Sequence, residues 1–193
     1  AKHHHFIPLK MPQPQAKAYA TALDTVNQQG KRGLEASWIL RKASCWNSVE
    51  GQSVKEMVAS SCKFQWLLEL LREIQAKQEK VLIFVDILEL QDLLLVAIEH
   101  EMKVRVEVIN GQTSSGTSQM GRESILNRFR NRPGFAPIIL SPKAAGVGLT
   151  LLEANHVVHF SRLWNPARED QATDRVYRIG QQKEVHVYYP LAE

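Results

Sequence analysis

Short apolar runs of strand length, separated by stretches with helical periodicity, constrain this chain more than any other feature. Val81-Leu82-Ile83-Phe84-Val85 is apolar at every position, and Pro137–Leu140 and His156–Phe160 are nearly so. Val104–Ile109 and Val185–Tyr189 add two more runs of strand type. Between them Glu89–His100, Met120–Phe129 and Pro166–Ile179 repeat their apolar residues at three- and four-residue intervals, as a helix with one buried face does. Strands that are apolar throughout are covered on both faces, and helices between them let the strands run parallel. The pattern therefore predicts an α/β fold with a mainly parallel sheet flanked by helices. On such sheets ligands collect at the carboxyl ends of the strands.

The first third has a different texture. Gln15 to about Asn47 reads as two helices separated at Gln29-Gly30-Lys31-Arg32-Gly33, and residues 48–61 read as a loop. Ser60 or Ser61 then caps a helix carrying Phe64, Leu67, Leu68, Leu71 and Ile74 on one stripe. The expected division is a helical lead-in over residues 1–60 and the α/β unit over 61–193.

Bulk properties exclude several classes. The 193 residues are 44% hydrophobic, which suits a globular domain rather than a disordered chain. A net charge of +4 permits an anionic partner without requiring one. Cys45 and Cys62 lack the spacing of a zinc ribbon or a disulfide framework and fit a reducing, intracellular compartment. No apolar run approaches the roughly 20 residues of a membrane span. Ala1-Lys2-His3-His4-His5 does not resemble a signal peptide, and the chain reads as a piece of something longer.

The ATPase hallmarks of a complete nucleotide site are missing. There is no G-x-x-x-x-G-K-[ST] phosphate loop, and no Asp-Glu pair closes an apolar strand. Gly146 and Gly148 follow a strand, but Leu151 stands where a dinucleotide fingerprint needs its third glycine. His156 and His159 sit three apart on a strand and point to opposite faces, which speaks against a shared metal.

Two segments stand out at the carboxyl ends. Leu140–Leu151 leaves a buried strand into a loop of small residues, with Lys143 and two glycines that let backbone N–H groups approach phosphates. Asn165–Gln181 is a helix with Asn165 as cap, Pro166 at its first position and Gly180 at its end. Gln171, Asp174, Arg175 and Arg178 share its polar stripe. Two arginines beside a glutamine can grip a phosphate from two directions. A solvated helix face, with Asp174 and Arg178 paired four residues apart, accounts for the same residues.

Ser141–Leu151, Trp164-Asn165-Pro166 and Gln171-x-x-Asp174-Arg175-x-x-Arg178-Ile179-Gly180-Gln181 together resemble the last motifs of the Swi/Snf family in helicase superfamily two. Val81–Val85, Asn110-Gly111-Gln112-Thr113, Gln119-x-x-Arg122 and Phe129 are similar to that family's earlier motifs in order and spacing. Ala145, Thr150 and Ser161 depart from it, standing where the family usually has Gly, Asn and Asp. The resemblance implies the second, C-terminal RecA-like lobe of an ATP-dependent double-stranded-DNA translocase. It further implies that ATP and magnesium are held mainly by an N-terminal RecA-like lobe outside this sequence, so that this piece alone is inactive as an ATPase. Arg175, Arg178 and Gln171 would serve catalysis, with Gly146 and Gly148 near the nucleotide. Gln119, Arg122, Ser141, Lys143 and Trp164 would contact DNA. The expected state is a monomer, in cytoplasm or nucleoid if prokaryotic. The alternative is a nucleic-acid-binding or regulatory module that keeps the lobe without hydrolysis.

Overall fold

The computed structural model describes residues 1–46, 51–114, 120–143, 150–162, 166–174, 178 and 180–193. The chain runs β1 (Lys2–Leu9), α1 (Gln13–Gln28), α2 (Gly33–Cys45), α3 (Val54–Ala59), α4 (Cys62–Ala76), β2 (Lys80–Phe84), α5 (Leu88–Met102), β3 (Glu107–Ile109), α6 (Arg122–Asn131), β4 (Ala136–Leu140), β5 (His156–His159), α7 (Pro166–Thr173) and β6 (Val185–Ala192).

Among the described residues the strands form one sheet in the order β1-β6-β5-β2-β4-β3, and every neighbouring pair is parallel. The expected α/β class holds. β2 sits at the centre and is buried throughout, as are β4 and β5. Because side chains alternate along a strand, β2 feeds two cores. Val81 and Ile83 join Ile139 and Val158 under Phe64, Leu67 and Leu71 of α4 and Leu90, Leu94 and Ile98 of α5. Leu82 and Phe84 join Ile138, Leu140 and Val157 under Ile125, Leu126 and Phe129 of α6 and Ala172 of α7.

Two elements depart from the sequence reading. Lys2–Leu9, given no strand, pairs in register with β6 from Lys2↔Val185 to Leu9↔Ala192. The loop expected over 48–61 contains α3, whose start is fixed by the Ser53 hydroxyl accepting the Glu56 N–H at 3.2 Å. Ser61 caps α4 as expected, accepting from the Phe64 N–H at 3.2 Å.

The helical region before α4 is tied to the sheet unit by a buried polar side chain. Gln15 of α1 donates through Nε2 to the Ala43 and Ser44 carbonyls, at 3.3 and 3.0 Å, and accepts the Cys62 N–H at 3.0 Å. It thereby satisfies orphan groups at the end of α2 and the start of α4, which burial would otherwise leave unpaired.

Candidate functional site

The carboxyl ends of the strands carry most of the residues the sequence singles out. Ser141 and Lys143 follow β4; Ser141 N–H donates to the Ile109 carbonyl at 3.0 Å, joining it to the end of β3. The turn after β3 closes on itself, with the Asn110 N–H on Thr113 Oγ1 at 3.0 Å and the Gln112 N–H on Asn110 Oδ1 at 2.9 Å. Arg122 opens α6 and reaches back to this turn through its N–H on the Ser114 carbonyl, 2.9 Å. Arg122, Ser141 and Lys143 therefore gather on the β3–β4 side of the sheet, with Lys143 exposed. Gln119 and Trp164 lie outside the described residues, as do Gly146, Gly148 and Arg175.

Gln171 lies exposed on α7. The described helix ends at Thr173, short of the expected Ile179, and Arg178 lies in a bend beyond it. Arg178 is anchored by two bonds: Nε donates to the Asp174 carbonyl at 2.9 Å, and Nη1 to Thr150 Oγ1 at 3.1 Å. Its partner at Asp174 is thus the backbone oxygen, while the Asp174 carboxylate stands 3.8 Å from Lys2 Nζ. Thr150 also accepts Arg130 Nη2 at its carbonyl, 2.9 Å.

The segment after Arg178 is shaped by Gly180 and Gln181. Gly180 has φ +101°, where a side chain is strained, and a Cβ there would meet Leu152 Cδ1 at 3.3 Å. Gln181 Nε2 donates to the Leu152 and Ala154 carbonyls, 3.0 Å each, and its N–H to the Arg178 carbonyl. These bonds fasten the chain leaving Arg178 to the turn that precedes β5.

A second group of residues, far apart along the chain, sits at the ends of β2 and β5. Arg41 of α2 donates through Nη2 to Asp86 Oδ1 and Oδ2, 2.8 Å each, and to the Ser161 carbonyl at 2.8 Å. Its Nε donates to the Arg162 carbonyl at 3.0 Å. Ser161 Oγ donates to Asp86 Oδ1 at 2.7 Å and accepts the Asp86 N–H at 3.2 Å. Ser161 thus stands beside a carboxylate supplied by the neighbouring strand end. Arg162 has φ +37°, a left-handed conformation costing a non-glycine residue about 1 kcal/mol or more. Its guanidinium meets the buried Glu169 of α7 at 2.9 and 3.0 Å and lies 4.9 Å from the Tyr189 ring centre. Burial pushes the Tyr189 phenol up to about 12.

His156 and His159 part to different surroundings. His156 contacts Glu79 Oε1 and Tyr188 OH, 3.1 Å each. His159 contacts Thr173 Oγ1 at 2.9 Å, stacks on Phe84 and Tyr189, and is pushed down to about 3 by burial. Among the described residues no group of three or more His, Cys, Asp or Glu is gathered for a metal, and no helix is long and apolar enough to cross a membrane. A cavity of about 260 Å³, lined by Arg105, Glu107, Arg128 and Arg132, lies at the amino ends of β3 and β4.

Comparison with known proteins places this arrangement. The helicase conserved C-terminal domain family matches residues 62–180. The chain is 49% identical to the Zorya protein ZorD of Escherichia coli O139:H28 over 136 residues, covering 69% of this chain and 13% of that protein. It is 40% identical over 132 residues to the putative ATP-dependent helicase/translocase YwqA of Bacillus subtilis, covering 68% and 14%. The solved SWI2/SNF2 ATPase core of Sulfolobus solfataricus in complex with double-stranded DNA superposes at TM-score 0.77 with 27% identity, over 99% of this chain and 41% of that one. The C-terminal part of the Fun30 ATPase domain shares the fold at TM-score 0.82 and 22% identity, over 100% and 85%. The chain spans about one seventh of the length of the two curated relatives.

Proposed function

Because the chain belongs to the helicase conserved C-terminal domain family, as a Swi/Snf-type C-terminal lobe, we propose that it is one half of an ATP-driven translocase on double-stranded DNA. In this reading a first RecA-like lobe of the same protein cradles the nucleotide and its magnesium, and the present lobe closes over them. The double-stranded DNA bound by the solved relative supports duplex DNA as the track.

The observation that carries the reading is the state of Arg178. The residue is exposed, and among the described residues two of its five N–H groups are engaged, on Asp174 and Thr150. Those two bonds hold the side chain and leave three donors for phosphate oxygens. When bound, ATP with magnesium supplies the phosphoryl group that passes to water. Arg178, with Arg175, offsets the negative charge that the transferring group spreads over its oxygens, and Gln171 orients the groups around them. A fork already fixed in place loses little entropy on engaging a phosphate, which is why an arginine finger outperforms a free cation.

Arg122, Ser141 and Lys143 hold the phosphate backbone on the β3–β4 side, and Gln119 and Trp164 add contacts to the same DNA. Contacts of that kind position the duplex without reading its sequence, as movement along arbitrary DNA requires. Opening and closing the cleft between lobes then alternates the grip on the backbone.

Arg178→Ala or Arg175→Ala in the full-length protein should lower DNA-stimulated ATPase turnover by about 10²-fold or more. DNA affinity without nucleotide and the melting temperature should stay close to the parent's. Steady-state ATPase, DNA titration and a thermal melt on each variant check this. Turnover that survives both changes, or falls only because the protein unfolds, removes the finger assignment. Retained DNA binding in a full-length protein that never hydrolyses ATP would favour the binding-module alternative.

A further inference from the structure

The Arg41 group explains how the lead-in helices reach the site, and none of the assigned roles accounts for it. Arg41 lies on α2, yet its guanidinium sits at the ends of β2 and β5 and holds Asp86, Ser161 and Arg162 together. The carbonyl just before that turn, Phe160, is gripped from the same side: Lys63 Nζ, itself buried, donates to it at 3.1 Å and Cys45 Sγ lies 3.9 Å away. Arg162 is held in a left-handed conformation, and its side chain forks onto Glu169 in the first turn of α7. From α7 the links continue through the Asp174 N–H on the Asp170 carbonyl, 2.9 Å, to Arg178 Nε on the Asp174 carbonyl, 2.9 Å. Hydrogen bonds linked through the chain at Arg162 and at Glu169–Asp170 therefore run from α2, through the β5 turn and α7, to the arginine.

We propose that Arg41 is a positioning residue for Arg178: by clamping Asp86 and the Ser161–Arg162 turn, it fixes the direction in which α7 leaves the sheet and so where the guanidinium meets phosphate. The inference rests on the finger role proposed for Arg178. A fork that satisfies a carboxylate and two carbonyls at once cannot be replaced by a point charge. The expected loss falls on turnover, because misplacing a catalytic group by about an ångström slows the reacting step far more than it weakens ground-state binding.

The test is Arg41→Gln and Glu169→Gln, singly and together, in the full-length protein beside Arg178→Ala. Each single change should lower kcat for DNA-stimulated ATP hydrolysis about ten- to hundredfold, with KM for ATP and nucleotide-free DNA affinity within about twofold of the parent. Because both residues act through one link, the double variant should be no slower than the slower single one. Multiplying losses in the double variant would mean independent structural contributions and would overturn the proposal, as would parental turnover in Arg41→Gln. Should Arg41→Gln fail to fold, Asp86→Asn carries the same test, since it leaves Arg41 its two carbonyl acceptors. Parental turnover in Arg178→Ala would sink the finger reading and this inference with it. Loss in Arg178→Ala without loss in Arg41→Gln would sink this inference alone.

Discussion

At its centre, in β2 and β4, the sheet is built mainly of aliphatic side chains buried on both faces, whereas the flank from β5 through β6 to β1 is rich in rings. Leu82 and Ile83 of β2 have no exposed surface and pack into separate cores. On the other flank β1 alternates half-buried and exposed positions. Phe6 stacks on Tyr189 with centroids 4.6 Å apart, His5 on Tyr188 at 5.0 Å and His3 on His186 at 5.1 Å. His5 Nε2 and His186 Nδ1 stand 3.0 Å apart, and His4 Nδ1 meets Tyr189 OH at 3.0 Å. The first region is stabilised by removing area from water, which no pH change undoes. The second carries imidazoles, at His5, His156, His159 and His186, that burial disposes to stay neutral.

Three measurements would break or sharpen this contrast. The largest effect should come from the centre: Ile83→Ala should cost about 2–5 kcal/mol, the ordinary loss for truncating a buried aliphatic side chain. A urea titration reads it, and a cost under about 1 kcal/mol would mean that the centre is no better packed than the flank. Acid should act next. Burial lowers His159 to about 3, so the folded protein resists a proton that the unfolded chain accepts near 6.5. Stability from this group is complete above about pH 6.5 and is lost as pH falls toward 3, by up to about 1.4 kcal/mol per unit. Burial also lowers His5, His156 and His186, which steepens the loss with the same sign; for His156 the neighbouring Glu79 opposes it in part. Urea midpoints at three pH values between 7 and 4.5 test this, and His159→Gln should flatten the slope. A slope unchanged by that substitution would contradict the assignment. The smallest effect belongs to the edge: Phe6→Ala, at a position 59% exposed, should cost under about 1 kcal/mol. A loss as large as that of Ile83→Ala would erase the contrast.

The same contrast decides what the sequence could reveal. β2 and β4 were legible because a strand covered on both faces is written as an unbroken apolar run, and β5 because Val157, Val158 and Phe160 keep most of one. β1 was not, because His3-His4-His5 carries no such run and its partner β6 lies far along the chain, with His4 and Tyr189 185 positions apart. α3 was hidden by its six residues, too few to show a period. Arg178 and Gln171 were readable as a motif, since their spacing is local. The Arg41–Asp86–Ser161 group was not, because its members are 45 and 120 positions from Arg41 and meet only through the fold. Arg41 itself gave no local sign, because α2 also carries Glu35, Ser37, Lys42 and Ser44.

The pairing of β1 with β6 sets a schedule for synthesis. A ribosome adding about 5–20 residues per second releases Lys2–Leu9 well before Val185–Ala192, an interval of roughly ten to forty seconds. The central strands can assemble meanwhile, but β1 is the outermost strand of the sheet and β6 its only described neighbour. Until β6 emerges, both backbone edges of the nascent segment are open to pairing with another chain. Contacts so distant in sequence are also the slowest to form. Polysomes, where identical nascent segments crowd together, are thus where this lobe is most exposed to mispairing, and a chaperone shielding Lys2–Leu9 would cover that interval.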